Sequence, residues 1–282
     1  MPRGSLTIVG TGIKFGSQTT PEARSAIDRA DEVLYLLVGS AASKWVKQRN
    51  RRAQTLYALY ESGRRQGKPR LVIYEEMVEE ILRRVRAGVR LCVVFYGHPG
   101  VFVYPGHEAV DRARAEGFRA TMQPGVSAED CLFADLGIDP CEGCQSYEAT
   151  HFLTHPRKFD TSTPLVLWQL SALGCPGVVE RPPPRRTLNV LVDYLARFYG
   201  RRHPVVLYEA SRSGRGGPQI RRITLSALSK EKLNGLPTLF VPPKSPPAPA
   251  FRMFDRLKIP RESETAVRPA SPASRLGGNA PK

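Results

Sequence analysis

Seven short apolar runs punctuate this chain, and the stretches between them repeat their apolar residues every three or four positions. The runs are Leu6–Val9, Val33–Leu37, Leu91–Tyr96, Phe118–Met122, Leu165–Leu170, Val205–Tyr208 and Thr238–Val241. Each has the length of a buried strand and falls far short of a membrane span. Leu71–Ala87 places Leu71, Tyr74, Met77, Val78, Ile81, Leu82 and Val85 on one helical face, with Gly88 as the stop. Pro21–Arg29, with proline at its start, His107–Glu116, Ser127–Asp135 and Leu188–Phe198 read as further helices, and Phe251–Ile259 as a last short one. Strands alternating with amphipathic helices predict an α/β protein whose sheets are covered by helices.

A chain of 282 residues that is 41% hydrophobic can bury one large core or two smaller ones. A break near Met122–Val126 predicts an N-terminal α/β lobe over residues 1–123 and a C-terminal α/β lobe over residues 124–245. Residues 246–282 then hold the short helix and a polar, Pro/Gly/Ser-rich tail, Arg261–Lys282, expected to be disordered. Pro182–Arg185 and Arg212–Pro218 read as surface loops. The N-terminus runs straight into Leu6–Val9 without a signal-peptide core, so a cytoplasmic protein is expected, with no membrane partner. Five cysteines (Cys92, Cys131, Cys141, Cys144, Cys175) are an odd number and argue against a disulfide framework. The lone Cys141-x-x-Cys144 lacks a second ligand pair, so it reads as a turn and no metal is expected. The formal charge of +16 suits an anionic partner, but much of it is arginine spread over helix faces, as at Arg83, Arg84, Arg86 and Arg90. Nucleic acid is therefore not the expected partner, although a non-catalytic nucleic-acid-binding protein remains a competing reading.

Three glycine turns follow apolar runs. The first, Gly10-Thr11-Gly12, is not spaced from Gly16 as G-x-G-x-x-G, and no acidic residue ends the Val33–Val38 run. A dinucleotide site of the ordinary Rossmann kind is therefore disfavoured. The second turn is Phe95–Phe102, containing Gly97-His98-Pro99-Gly100, and the third is Gln123–Asp130, which puts Ser127 at a helix N-cap. Singly, each is a tight turn that needs glycine for steric reasons.

Together, in this order, the three segments resemble the tetrapyrrole methylase superfamily from Ser5 to Lys244. The resemblance implies a two-lobed α/β fold with S-adenosyl-L-methionine in the cleft between the lobes. Gly97-His98-Pro99-Gly100 stands where that superfamily usually carries Gly-Asp-Pro-Gly, which argues against a corrin-pathway or ribosomal-RNA role. A methyltransferase acting on a tetrapyrrole or on RNA ribose is the alternative. A closer similarity is to the borosin peptide backbone α-N-methyltransferases. It is carried by Gly4–Ile13, Tyr96–Val103, Pro124–Leu136, Ile138–Pro140, Tyr147–Ala149 and His203–Val206. It implies α-N-methylation of backbone amides in a precursor peptide of ribosomal origin, by a homodimer that encloses the peptide. The tail Arg261–Lys282 has no Val/Ile-rich stretch, so the precursor is expected to be a separate peptide acting in trans.

An amide nitrogen is a poor nucleophile because its lone pair is delocalised into the carbonyl. Its methylation requires a base, a clamp on the carbonyl oxygen and in-line positioning. The resemblance places Tyr57, Tyr60, Arg70 and Tyr74 in these roles: Arg70 as clamp, Tyr74 or Tyr60 as base, Tyr57 as a positioning group. The chain carries extra residues around Gly63–Pro69, which brings Arg64 and Arg65 into competition with Arg70. Read without the resemblance, Tyr74 is a core tyrosine on an apolar helix face. The cofactor positions it implies are Tyr96, His98, Val101 and Phe102, then Ser127 and Ala128, Gln169, Tyr208 and Ala210, and Pro237 and Thr238. Pro237 stands where serine is usual in the family, and His98 reads equally well as a turn residue.

Overall fold

A computed structural model describes residues 4–179, 181–212 and 216–261. The tail beyond Arg261, expected to be disordered, lies outside the described residues, as does the middle of the Arg212–Pro218 loop. The chain divides into two compact units. One holds the described residues of Met1–Cys131, Pro176–Val178 and Ala210–Gly217, the other those of Leu132–Cys175, Val179–Glu209 and Pro218–Lys282.

The first unit is built on five parallel strands, β1 (Ser5–Gly10), β2 (Glu32–Leu36), β3 (Ala53–Thr55), β4 (Arg90–Phe95) and β5 (Arg119–Met122), in the order β3-β2-β4-β1-β5. Both faces are covered, as parallel sheets require. Leu6 and Ile8 of β1 point into a core with α4 (Arg70–Arg86) and α5 (Tyr104–Ala115). Val9 points the other way, into a core with α1 (Pro21–Arg29) and α2 (Ser40–Arg49). Two further helices in this part of the chain are α3 (Tyr57–Arg65) and α6 (Ala128–Leu136). The α1 helix starts as its sequence dictates: the Thr20 side chain accepts from the Ala23 N–H at 3.1 Å, and proline occupies the first turn. The α4 helix buries Ile73, Met77, Val78, Ile81, Leu82 and Val85 on one face. It ends at Gly88, whose φ of 86° lets its N–H reach the Val85 carbonyl at 3.0 Å and the Val89 N–H reach Arg84 at 3.2 Å.

The second unit carries β6 (Gln145–Glu148), β7 (Leu165–Trp168), β8 (Pro204–Glu209), β9 (Gln219–Thr224) and β10 (Thr238–Val241), in the order β6-β7-β10-β8-β9. Only β6 and β7 are parallel; the other pairs are antiparallel. One face packs Leu165, Leu167, Leu207 and Leu239 against α8 (Arg185–Tyr199) and α7 (Ala149–Thr154), through Leu191, Leu195 and Phe152. A short helix, α9 (Phe251–Leu257), follows. Among the described residues, no helix is long and apolar enough to cross a membrane.

Two of the glycine turns of the first unit are laced together through their backbones. The Gly12 N–H donates to the Gly97 carbonyl at 3.2 Å, and the Gly97 N–H returns to Gly12 at 3.1 Å. At Gly10 the approach is so close that a Cβ would lie 2.0 Å from the Gly97 carbonyl oxygen. Gly125 of the third turn sits against the same oxygen, 3.2 Å from its own ideal Cβ position. The glycines are therefore required by loop-against-loop packing at the carboxyl ends of β1, β4 and β5. Gly10→Ala is expected to cost about 3 kcal/mol or more, because rigid backbone must move. Gly16→Ala, where φ is 88° and nothing lies within 4 Å, is expected to cost only about 1–2 kcal/mol of left-handed strain. Urea unfolding of the two variants measures the difference; equal losses would remove the packing argument.

Candidate functional site

The carboxyl ends of β2 and β4 open onto a cavity of about 250 Å³ in the first unit. Leu36, Leu37 and Val38 line it from the end of β2, and Phe95 and Tyr96 from the end of β4. Tyr57 and Tyr60 of α3, Tyr74 of α4, and Phe102, Val103 and Pro105 around the start of α5 complete the wall. Three of the four residues assigned catalytic roles from sequence thus share one cavity with Tyr96 and Phe102 from the cofactor set. The wall is apolar except for its phenols. Tyr57, half exposed, stacks on Tyr60 with ring centroids 6.1 Å apart and planes 22° from parallel. Tyr74 stacks on Tyr104 at 6.4 Å and 19°.

The tyrosines differ in what holds their hydroxyls. The Tyr57 phenol is hydrogen-bonded to Glu61, and that carboxylate is the first cause pushing its pKa above the ordinary value. Tyr104 donates to Glu75 and is raised by the same kind of partner. A phenol tied to a carboxylate is a committed donor. Tyr74 is different: burial raises its pKa, and the charge and hydrogen bond of Arg70 pull in the other direction. Arg70 thus sets a guanidinium beside Tyr74 that favours its phenolate, against the larger effect of burial.

Arg70 is the first residue of α4, after Pro69. Its backbone N–H donates to the Pro176 carbonyl at 3.0 Å and its Nε–H to the Gly177 carbonyl at 3.2 Å. The competing Arg64 lies in the last turn of α3 with its guanidinium on Glu61, at 2.9 and 3.2 Å. Arg65 is exposed in the same turn. The extra residues end α3 and turn the chain at Gly67, whose φ is 63°, and Lys68 pairs with Glu76. Arg70 is the arginine that reaches Tyr74.

Several predicted cofactor residues have local work. The His98 Nδ1 accepts from the Gly100 N–H at 2.9 Å, which assigns the proton of a neutral ring to Nε2. Ser127 and Asp130 form a reciprocal cap on α6: the Ser127 N–H and hydroxyl donate to Asp130 at 2.6 and 2.7 Å, and Ser127 Oγ accepts from the Asp130 N–H at 3.1 Å. Val101 continues the turn, its N–H on the His98 carbonyl at 3.3 Å, and Ala128 opens α6. Phe102 has φ at 56° and remains 43% exposed. Ala210 belongs with the first unit.

In the second unit, Gln169 follows β7 with φ 58° and ψ 40°, a left-handed conformation that a glutamine rarely adopts. Thr238, buried, opens β10 in register with Tyr208 near the end of β8, and buried Pro237 precedes it. Gln169, Tyr208, Pro237 and Thr238 therefore gather at one end of three neighbouring strands. The Tyr208 hydroxyl donates to Asp135 at 2.6 Å, a bond that fixes its ring.

Sequence reasoning did not name Glu61, Glu75 or Tyr104, nor Leu36–Val38. The two glutamates carry a signal only after helix phase is known. Glu61 stands four residues after Tyr57 on α3, where i and i+4 side chains meet.

Residues 5–228 match the family of tetrapyrrole (corrin/porphyrin) methylases. The chain is 41% identical, over 261 residues and 91% of its length, to the methyltransferase/ribosomally synthesized cyclic peptide gymnopeptides precursor of Gymnopus fusipes, of which it covers 61%. It is also 41% identical, over 91% of its length, to the corresponding omphalotin A precursor of Omphalotus olearius, of which it covers 62%. The chain thus spans about three-fifths of the length of these relatives. Its fold is similar to that of uroporphyrin-III-C-methyltransferase from Thermus thermophilus, with a TM-score of 0.59 at 20% identity, over 85% of this chain and 94% of that one. A match across most of its length makes this chain a member of the tetrapyrrole methylase family.

Proposed function

We propose that this chain transfers a methyl group from S-adenosyl-L-methionine to backbone amide nitrogens of a precursor peptide. The observation that carries the reading is Tyr74 on the wall of an apolar cavity with the Arg70 guanidinium beside it. The names of the relatives, which join a methyltransferase to a ribosomal cyclic-peptide precursor, support the substrate class.

The cofactor supplies an activated methyl, so no metal is called for. The residues at its expected positions fit such a group. In the first unit, Phe102 at the cavity is in left-handed backbone, and such strain persists where backbone is presented to a ligand. His98 and Ser127, whose side chains are used in turn and cap, would contribute through their backbone.

The chain's own residues then divide the work. The phenolate form of Tyr74 takes the amide proton; burial holds its pKa above the ordinary value, and Arg70 offsets part of that cost. Arg70 holds the carbonyl oxygen as the amide becomes imidate-like, since a guanidinium keeps its charge at any working pH. Tyr57, committed to Glu61 as a donor, positions the peptide, and Tyr60 stacked on it completes the wall. Cavity walls of Leu36, Leu37, Val38, Phe95 and Phe102 exclude water and strengthen both interactions. We read the enzyme as a homodimer acting in the cytoplasm on a separate peptide.

Co-expression of the chain with the small open reading frame beside its gene, followed by tandem mass spectrometry, tests the reaction. Whole-methylene mass gains on backbone amides of that peptide are the expected result; gains on the chain itself would place the acceptor in cis. An unmodified peptide, with labelled methyl entering RNA or a tetrapyrrole instead, would overturn the peptide acceptor. Arg70→Ala and Tyr74→Phe are each expected to lower methylation at least 100-fold while calorimetric S-adenosyl-L-methionine binding stays within about threefold. Wild-type rates in both variants would remove the assigned roles. The Arg70→Ala variant should also move the Tyr74 titration upward, because the influences that lower it are gone while burial remains. Ultraviolet difference titration against Tyr74→Phe reads that shift.

A further inference from the structure

The Tyr74 ring lines the cavity, whereas Tyr104, stacked against it, is not among the lining residues. Tyr104 begins α5, and its hydroxyl donates to Glu75, the residue that follows Tyr74 on α4. Glu75 is held in turn by Arg112 Nη2 at 2.6 Å. Arg112 also donates to Glu108 at 2.6 Å and to Glu79 at 3.1 Å, so the tether joins the outer faces of α4 and α5. Beneath it those helices share one core, with Met77 and Ile81 of α4 and Ala109, Val110 and Ala113 of α5.

A phenylalanine-like ring could fill the space beside Tyr74 without any of this. Here the ring is fixed at both ends, by its backbone at the start of a helix and by its hydroxyl on a clamped carboxylate. We propose that Tyr104, tethered through Glu75 to Arg112, is the positioning residue that holds the Tyr74 ring at the cavity wall. It rests on Tyr74 being the proton acceptor proposed above.

The exposure of the network says what it is not. The Arg112 and Glu75 side chains are 34% and 35% exposed, and ion pairs so placed contribute little to stability. Their effect is local. Arg70 approaches Tyr74 from its own helix, Tyr57 and Tyr60 of α3 and Tyr96 line the same cavity, and the carboxylate of Glu75 follows Tyr74 in the chain. Holding Glu75 on Tyr104 and Arg112 keeps its negative charge engaged away from the Tyr74 hydroxyl. The Tyr104 ring stacked on Tyr74 contributes to the burial that raises the Tyr74 pKa.

The test uses the full chain. Tyrosine labelled with ¹³C at Cζ is titrated by NMR in wild type, Tyr104→Phe and Tyr104→Ala, with Tyr74 assigned from Tyr74→Phe. Tyr104→Ala exposes the Tyr74 ring, so its titration is expected to fall by about one pH unit toward the ordinary tyrosine value. Tyr104→Phe, which keeps the stack and loses the tether, is expected to fall between Tyr104→Ala and wild type. In methyl transfer to the co-expressed peptide, Tyr104→Ala should lose about tenfold in kcat with KM within twofold. Glu75→Ala, which removes the tether from the other side, should match Tyr104→Phe and guards against a folding defect in one variant. A merely structural role would lower the unfolding midpoint and leave the Tyr74 titration where it was. Unchanged titrations in all three variants overturn the inference. A wild-type rate in Tyr74→Phe overturns the proton-acceptor reading instead, and the NMR titration still decides whether Tyr104 holds Tyr74.

Discussion

The approach of Gly10 to the Gly97 carbonyl is the constraint on which the first unit depends. Two parallel strands separated by some eighty residues of chain end side by side because their following turns bond to each other backbone to backbone, at 3.1 and 3.2 Å. Any side chain at Gly10 would occupy the place of the Gly97 oxygen. That contact fixes where β4 stops and hence where Phe95 and Tyr96 emerge. The turn after it carries Phe102 into its left-handed conformation and starts α5 at Tyr104. Glycines that sequence patterns associate with phosphate binding here answer a packing demand.

Once the turns are set, the tyrosines are sorted by their neighbours. Four phenols lie within two stacked pairs, and chemically they begin as equals. A carboxylate beside Tyr57 and another beside Tyr104 make those hydroxyls donors. A guanidinium beside Tyr74 opposes its burial. The outcome follows from helix geometry: Glu61 is one turn from Tyr57 on α3, whereas Arg70 is one turn from Tyr74 on α4. Aromatic stacking supplies shape, and the charge one turn away supplies function.

Much of this was legible in the sequence because strong periodicity and glycine spacing are local signals. Each of the seven apolar runs became a strand. Of the predicted α4 face, Met77, Val78, Ile81, Leu82 and Val85 are buried, whereas Leu71 in its first turn is exposed and Ile73, outside that set, is buried. What escaped was weakly patterned. β9 flanks exposed Arg221 and Arg222 with partly buried Ile220 and Ile223, as an edge strand can, and β3 is only three residues long. α2, α3 and α7 lack long apolar stripes; α3 buries only Gly63, against Ile73. Positions were legible where the resemblance carried them, as at Tyr57, Tyr60 and Tyr74, which line one cavity. They were not legible at Tyr104 or Glu75, whose pairing depends on two helices meeting. His98 and Ser127 show the converse: residues in a motif whose side chains turn out to serve the turn and the cap.

Arg70 is the clearest conflict between a local rule and the structure. A cation in the first turn of a helix faces the positive end of the macrodipole, and α4 has no acidic residue in that turn to offset it. An arginine serving stability alone would be better placed in the last turn, where Arg83, Arg84 and Arg86 already sit. At the first turn its backbone N–H donates to the Pro176 carbonyl and its Nε–H to the Gly177 carbonyl, which orients the side chain. Beside it lies the phenol of Tyr74 on the cavity wall, which its charge and hydrogen bond pull toward the phenolate. Placements that break a local rule while being so firmly held are the ones a site requires.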